Sequence, residues 1–77
     1  MSEPYRPIAC GLHDTLEDRI VRRSACRVEW TAGSGETQVF TGRLLDIAVK
    51  GGEEEVVLED GRRVRLDRLR RVDKTEF

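Results

Sequence analysis

Gln38-Val-Phe-Thr-Gly-Arg-Leu-Leu-Asp-Ile-Ala-Val-Lys50 is the stretch that decides the fold. It is apolar, long and interrupted. Phe40 and Leu44 share one alternation phase, whereas Leu45, Ile47 and Val49 take the other. A phase change beside Gly42 predicts a bulge or a sharp bend. A single strand bent at a glycine can serve both halves of a small barrel. Gly51-Gly52 ends it.

Working outward, the flanking segments also read as strands. Cys26, Val28 and Trp30 alternate with Arg27, Glu29 and Thr31, the pattern of a half-buried strand. Ala32-Gly-Ser-Gly-Glu36 is a turn; it lacks the lysine and the following helix that a phosphate-cradling loop requires. Glu55 to Leu58 is a short strand, and Arg63-Val-Arg-Leu66 alternates cleanly after the Asp60-Gly61 turn. A two-residue turn would pair Glu59 with Arg62 and set Val56 against Arg65 and Leu58 against Arg63. Register follows the buried face, so a three-residue connection is expected, with Val56 and Val64 on one face and Gly61 at positive φ. Leu66, Leu69 and Val72 fall at spacing three, which predicts one 3₁₀ turn at Asp67-Arg68 before a last short strand.

At the other end, Pro4 and Pro7 push their preceding residues out of the α region, so an extended segment is expected over 1–13. Asp14-Thr-Leu-Glu17 has capping-box spacing, and Leu16 and Ile20 form a narrow apolar stripe. These predict a short helix over about 15–22 and a barrel over 25–73. The fold class is therefore mainly β: a small Sm-like or SH3-like antiparallel barrel of about five strands with a short N-terminal helix, one domain over 1–77. Its expected core is Leu16, Ile20, Val28, Trp30, Phe40, Leu44, Leu45, Ile47, Val56, Leu58, Val64, Leu66, Leu69 and Val72.

Composition excludes several functions. With 77 residues only a modest core is available. One histidine and two cysteines, Cys10 and Cys26, do not supply a zinc site, and both thiols read as reduced, with Cys26 buried and unreactive. No stretch reaches signal-peptide or membrane-spanning length, which points to a soluble cytoplasmic protein. His13 stands beside Asp14, but no nucleophile motif accompanies it, so no enzyme and no cofactor are expected. Glu53, Glu54 and Glu55 alternate across a strand and read as a solvated rim.

The net charge is only −1, yet it is segregated along the chain. Acids dominate 1–18 and 53–60, and bases dominate 61–77. Arg63, Arg65, Arg68, Arg70 and Arg71 could contact phosphates. They could equally form a cross-strand ladder with the acidic strand before them. Exposed aromatics that would stack on bases are missing; Tyr5 is the only candidate.

Tyr5-Arg-Pro-Ile-Ala-Cys10, followed by Asp14-Thr-Leu-Glu17, resembles the opening of the Rho-binding antiterminator (Rof) family. Asp46-Ile47 with Lys50, the Val-Val pair of the acidic strand, and Arg65-Leu-Asp-Arg-Leu69 resemble the same family's barrel strands. The resemblance spans roughly Pro4 to Val72. It implies an Sm-like fold and a non-enzymatic inhibitor that binds the N-terminal RNA-binding region of hexameric Rho, hindering RNA loading. It implies Asp14, Glu17 and Asp18 as partner-facing acids, with Tyr5, His13 and Lys50 beside them. It also implies a monomer without direct nucleic-acid or membrane binding. Two features depart from the family: the loop at Lys50-Gly51-Gly52 is short, and Arg62 to Arg71 is more basic than a partner of a basic surface requires. The second reading is an Sm-like RNA-binding module using the Arg62–Arg71 face; the third is a regulatory subunit of another assembly.

Overall fold

A computed structural model describes residues 4–77; the first three residues of the expected extended segment lie outside the described residues. The chain runs α1 (Cys10–Arg22), β1 (Cys26–Thr31), β2 (Thr37–Gly42), β3 (Leu44–Lys50), β4 (Glu53–Leu58), β5 (Arg63–Arg65), a 3₁₀ turn (Leu66–Arg68), β6 (Leu69–Val72) and β7 (Thr75–Glu76). The strands form two antiparallel sheets, ordered β2-β1-β6-β7 and β3-β4-β5. They do not close into one hydrogen-bonded ring among the described residues.

The long apolar stretch divides where its phase changes. Its first half pairs with β1 from Cys26↔Gly42 to Thr31↔Thr37, and its second half pairs with β4 in the other sheet. Gly42 makes the bend because there is no room for a side chain: a Cβ there would lie 2.6 Å from Phe40 Cζ. Beyond the bend the register slips between Leu44 and Asp46. That bulge overturns one core assignment. The extra residue rotates Leu45 outward, and it is 51% exposed while Leu44 is buried.

The second hairpin follows the buried face. Val56 pairs with Val64 and Val57 with Arg63. Gly61 N–H donates to Leu58 O at 2.9 Å, and Gly61 has φ +93°. Glu59, Asp60 and Gly61 thus form the three-residue connection. The 3₁₀ turn then drops Leu66 and Leu69 into the same interior. The strand β7 is an addition that the sequence pattern did not announce.

The helix begins earlier than the capping box suggested. Ala9 is the N-cap, no side chain caps the first turn, and that turn holds no acid. Asp14 and Glu17 are mid-helix, and the segment from Cys10 to His13 is helical rather than extended. The start is fixed by the backbone, with Leu12 and His13 amides donating to Ala9 O at 3.0 and 3.1 Å, and by His13 docking on β4. Capping-box spacing recurs by chance inside helices, and here a tertiary contact outranks it. At the other end Arg23, at φ 54°, closes α1 in the left-handed conformation.

The interior is one cluster made by Leu16, Cys26, Val28, Trp30, Leu44, Val56, Leu58, Val64, Leu66, Leu69 and Val72. Tyr5, Ile8, Ile20, Phe40, Ile47 and Phe77 pack at its margins. Leu16, with Ile20 beside it, is the apolar stripe by which α1 joins the sheets.

Candidate functional site

The N-terminal signature and the Arg65–Leu69 segment, far apart in sequence, meet at one end of the molecule. The Arg6 amide donates to Asp67 Oδ2 at 3.1 Å. The Arg65 guanidinium lies 5.8 Å from the centre of the Tyr5 ring, within cation–π range. Arg65 is itself held by Asp67, from Nε at 3.0 Å and from an Nη at 2.7 Å, and its Nη1 reaches Glu53 at 3.6 Å. With 12% and 11% of their side chains exposed, Arg65 and Asp67 form a largely desolvated pair. Burial would raise the Asp67 carboxyl, but the Arg65 hydrogen bonds and the Arg6 amide outweigh it and hold its pKa below the ordinary value.

Tyr5 points inward. Its hydroxyl is buried without a hydrogen-bond partner among the described residues, and burial, followed by the charges of Glu54 and Asp67, raises its pKa. Next to it, His13 bridges two carboxylates. Its Nε2 lies 2.9 Å from Glu54 Oε2 and its Nδ1 3.3 Å from Glu17 Oε1. Glu54, read from the sequence as solvated rim, is therefore the group that ties α1 to β4. It follows the alternation of Val56 and Leu58 outward to the end of the core face, which was the available signal.

The three helix acids differ in availability. Asp18 is committed to Arg22 at 2.8 Å and Arg19 at 3.3 Å. Glu17 is 56% exposed despite its His13 contact, and Asp14 is exposed with no ion pair among the described residues. Spacings of three and four put Asp14, Glu17, Asp18 and Val21 on one outward face, where Val21 is 79% exposed. Lys50 is exposed at the end of β3, opposite Glu53 in register and one position from the Val49↔Glu54 pair. It therefore lies at the same end of the molecule as His13.

The five arginines do not form one face. Arg65 is consumed internally. Arg71 pairs with Glu76 at 2.9 Å, and Arg70 reaches Thr31 Oγ1 at 3.4 Å; both belong to the other sheet. Arg63 and Arg68 border a groove beside Trp30 that Arg65 also lines. Arg62 lies over Trp30 and Phe40, at 5.2 and 5.7 Å from the ring centres.

Among the described residues no three His, Cys, Asp or Glu side chains are placed to hold a metal ion, and no helix is long and apolar enough to cross a membrane. No protein-family model, no curated protein and no solved structure matches the chain.

Proposed function

We propose that this chain is a Rho-binding antiterminator: a non-enzymatic, monomeric, cytoplasmic protein that docks on the N-terminal RNA-binding region of hexameric Rho and hinders RNA loading. On this reading the two sheets are the halves of an Sm-like barrel, joined at the Gly42 bend. The reading rests on the sequence resemblance. The single structural observation that supports it is the meeting of the Tyr5–Cys10 signature with Arg65–Leu69, because the separated parts of the resemblance then belong to one surface.

The electrostatic logic follows from α1. A surface that captures RNA is basic, and Asp14 and Glu17 offer it carboxylates from a rigid helix. Tyr5 and His13 act one step behind, as positioning residues. Tyr5 packs the extended segment against Arg65, and His13 fixes the rotation of α1 relative to β4. Lys50 supplies a cation at the adjoining hairpin corner. Asp18, held by two arginines, has the smallest part in binding.

The test uses purified Rho and a labelled pyrimidine-rich RNA. Stable association with Rho, together with displacement of the RNA from Rho's primary site, is the expected result. A protein that neither binds Rho nor displaces the RNA is not a member of this functional class.

A further inference from the structure

The seam between α1 and β3 carries a depression of about 320 Å³. Five side chains line it: Glu17, Ile20 and Val21 from the helix, and Asp46 and Ile47 from the strand. Helical spacing puts the first three together, and the register slip after Leu44 brings Asp46 and Ile47 to the other wall. Ile20 and Ile47 are half-buried, so the floor is apolar yet open to solvent. The volume is at the lower end of what small-molecule sites enclose and suits one side chain.

Among the described residues, no arginine or lysine lines this depression. Glu17 uses Oε1 for His13 Nδ1 at 3.3 Å, and Asp46 uses Oδ1 for its neighbour's amide, Ile47 N–H, at 2.8 Å. Both carboxylates are exposed and hydrated, so they impose no strain; what they set is a negative field over an apolar floor. Beyond Ile20 the seam changes sign. A second depression there is lined by Arg23, Arg43 and Leu45, and Leu45 is 51% exposed. Two exposed aliphatic side chains, Val21 and Leu45, thus stand along one seam whose two ends differ in charge.

An aliphatic floor beneath two carboxylates matches a side chain that is apolar along its stem and cationic at its tip. A wholly apolar side chain would cover the carboxylates without giving them a partner, which is costly. Of the two candidates, arginine fits better than lysine, because its planar fork carries enough donors to serve both carboxylates at once. We propose that the Glu17–Asp46 depression is the docking pocket for an arginine side chain of a partner protein. Its stem lies on Ile20, Val21 and Ile47, and its guanidinium is held by both carboxylates. The proposal rests on the reading of α1 as the face that meets Rho, and it adds β3 to that face.

Val21→Lys tests it with least risk to the fold, since Val21 is 79% exposed. A lysine four residues after a glutamate is the favoured order for a helical ion pair, so the introduced ammonium can reach Glu17 and fill the cation position from within. Rho binding is expected to weaken about tenfold or more, through faster dissociation, with a thermal midpoint no lower than the parent's. Asp46→Asn removes the charge but keeps an oxygen for the Ile47 amide, and it is expected to weaken binding to a similar degree. Val39→Lys puts the same charge on another exposed valine, on β2 in the other sheet, and is expected to bind like the parent. If Val21→Lys and Asp46→Asn bind Rho as the parent does, the proposal is overturned while the Rho reading stands. An equal loss in Val39→Lys marks a general charge effect and also overturns it. If the parent itself does not bind Rho, the functional reading falls, and a blocked alanine-arginine-alanine peptide decides the pocket. That peptide is expected to shift the amide resonances of Val21 and Asp46 saturably, and the same peptide with norleucine in place of arginine is not. No shift with the first, or equal shifts with both, overturns the proposal.

Discussion

Arg65 and Asp67, two residues apart across the start of the 3₁₀ turn, form a forked pair, with Arg65 Nε and an Nη donating to the two Asp67 carboxylate oxygens at 3.0 and 2.7 Å. The fork also carries the N-terminal segment, since Asp67 accepts the Arg6 amide and Arg65 faces the Tyr5 ring. Arg65→Gln leaves a mostly buried carboxylate short of its donors. It should cost about 1.5–3 kcal/mol, the range for lost hydrogen bonds to charged groups. The change is read from the midpoint of urea unfolding, and an unchanged midpoint would show that the fork stabilises nothing.

The same pair sets a pH dependence. The folded-state pKa of Asp67 lies below its ordinary value of 3.8, so its contribution is complete above that value and is lost as pH falls through the lower folded pKa. Stability should therefore decline below about pH 4, with Asp67→Asn lowering the neutral-pH stability and flattening the acid limb. Thermal midpoints from pH 2 to 7 for both proteins check this; parallel curves for the two would assign the acid sensitivity elsewhere.

Gly42 should tolerate no side chain. In Gly42→Ala the new Cβ meets Phe40 Cζ at 2.6 Å and Cε2 at 3.0 Å, and the ring has Arg62 stacked over it. The expected cost is about 1–3 kcal/mol. The cause is isolated by a double-mutant cycle: Gly42→Ala should be nearly neutral when Phe40 is already Ala. A cost that persists without the Phe40 ring would instead locate the strain in the backbone at the bend.

This bend also shows how far the sequence could be read. The phase change across Gly42 and the demand that Val56 and Val64 share a face are period-two signals, and both are local enough to survive into the structure. The bulge at Leu45 is not such a signal. One inserted residue leaves the alternation looking intact while turning a leucine to solvent. The Asp14–Glu17 spacing misled for a related reason, because it is equally compatible with an N-terminus and with the middle of a helix. What separated them was His13 meeting Glu54, a contact between residues 41 positions apart that no short window contains. The site suffered most from this. Glu54 and Asp67 acquire their roles only when the N-terminal segment is laid against β4 and the 3₁₀ turn.

The two thiols should react on different timescales. Cys10 is exposed at the start of α1, whereas Cys26 is buried on the inner face of β1. Burial, and then the Asp73 charge, raises the Cys26 pKa, which lowers its thiolate fraction further. A thiol reagent should therefore titrate one group rapidly under native conditions and the second only on unfolding. Rapid labelling of both would mean that β1 presents the opposite face to the interior.

The functional reading is most exposed at Asp14 and Glu17. Reversing both, Asp14→Lys with Glu17→Lys, should weaken Rho binding strongly if these carboxylates are buried against basic groups. A desolvated interfacial charge pair that loses one partner costs about 2–5 kcal/mol, whereas a rim charge mostly slows association. The two cases separate by kinetics and salt: a faster dissociation rate marks buried contacts, and a slower association rate that recovers as salt rises marks the rim. Folding is a small confounder, because neither residue caps α1. The reversal removes the Glu17 contact to His13, a helical i, i+4 pair of the kind worth about 0.2–0.5 kcal/mol. Circular dichroism on the same sample verifies this. The matched control is Arg63→Gln with Arg68→Gln, two arginines that make no ion pair or hydrogen bond among the described residues. It should leave Rho binding intact, whereas substituting Arg65 would confuse binding with the loss of the Asp67 fork. If the acidic reversal binds Rho like the parent while the arginine pair abolishes binding, α1 is not the docking face and the Trp30 groove is.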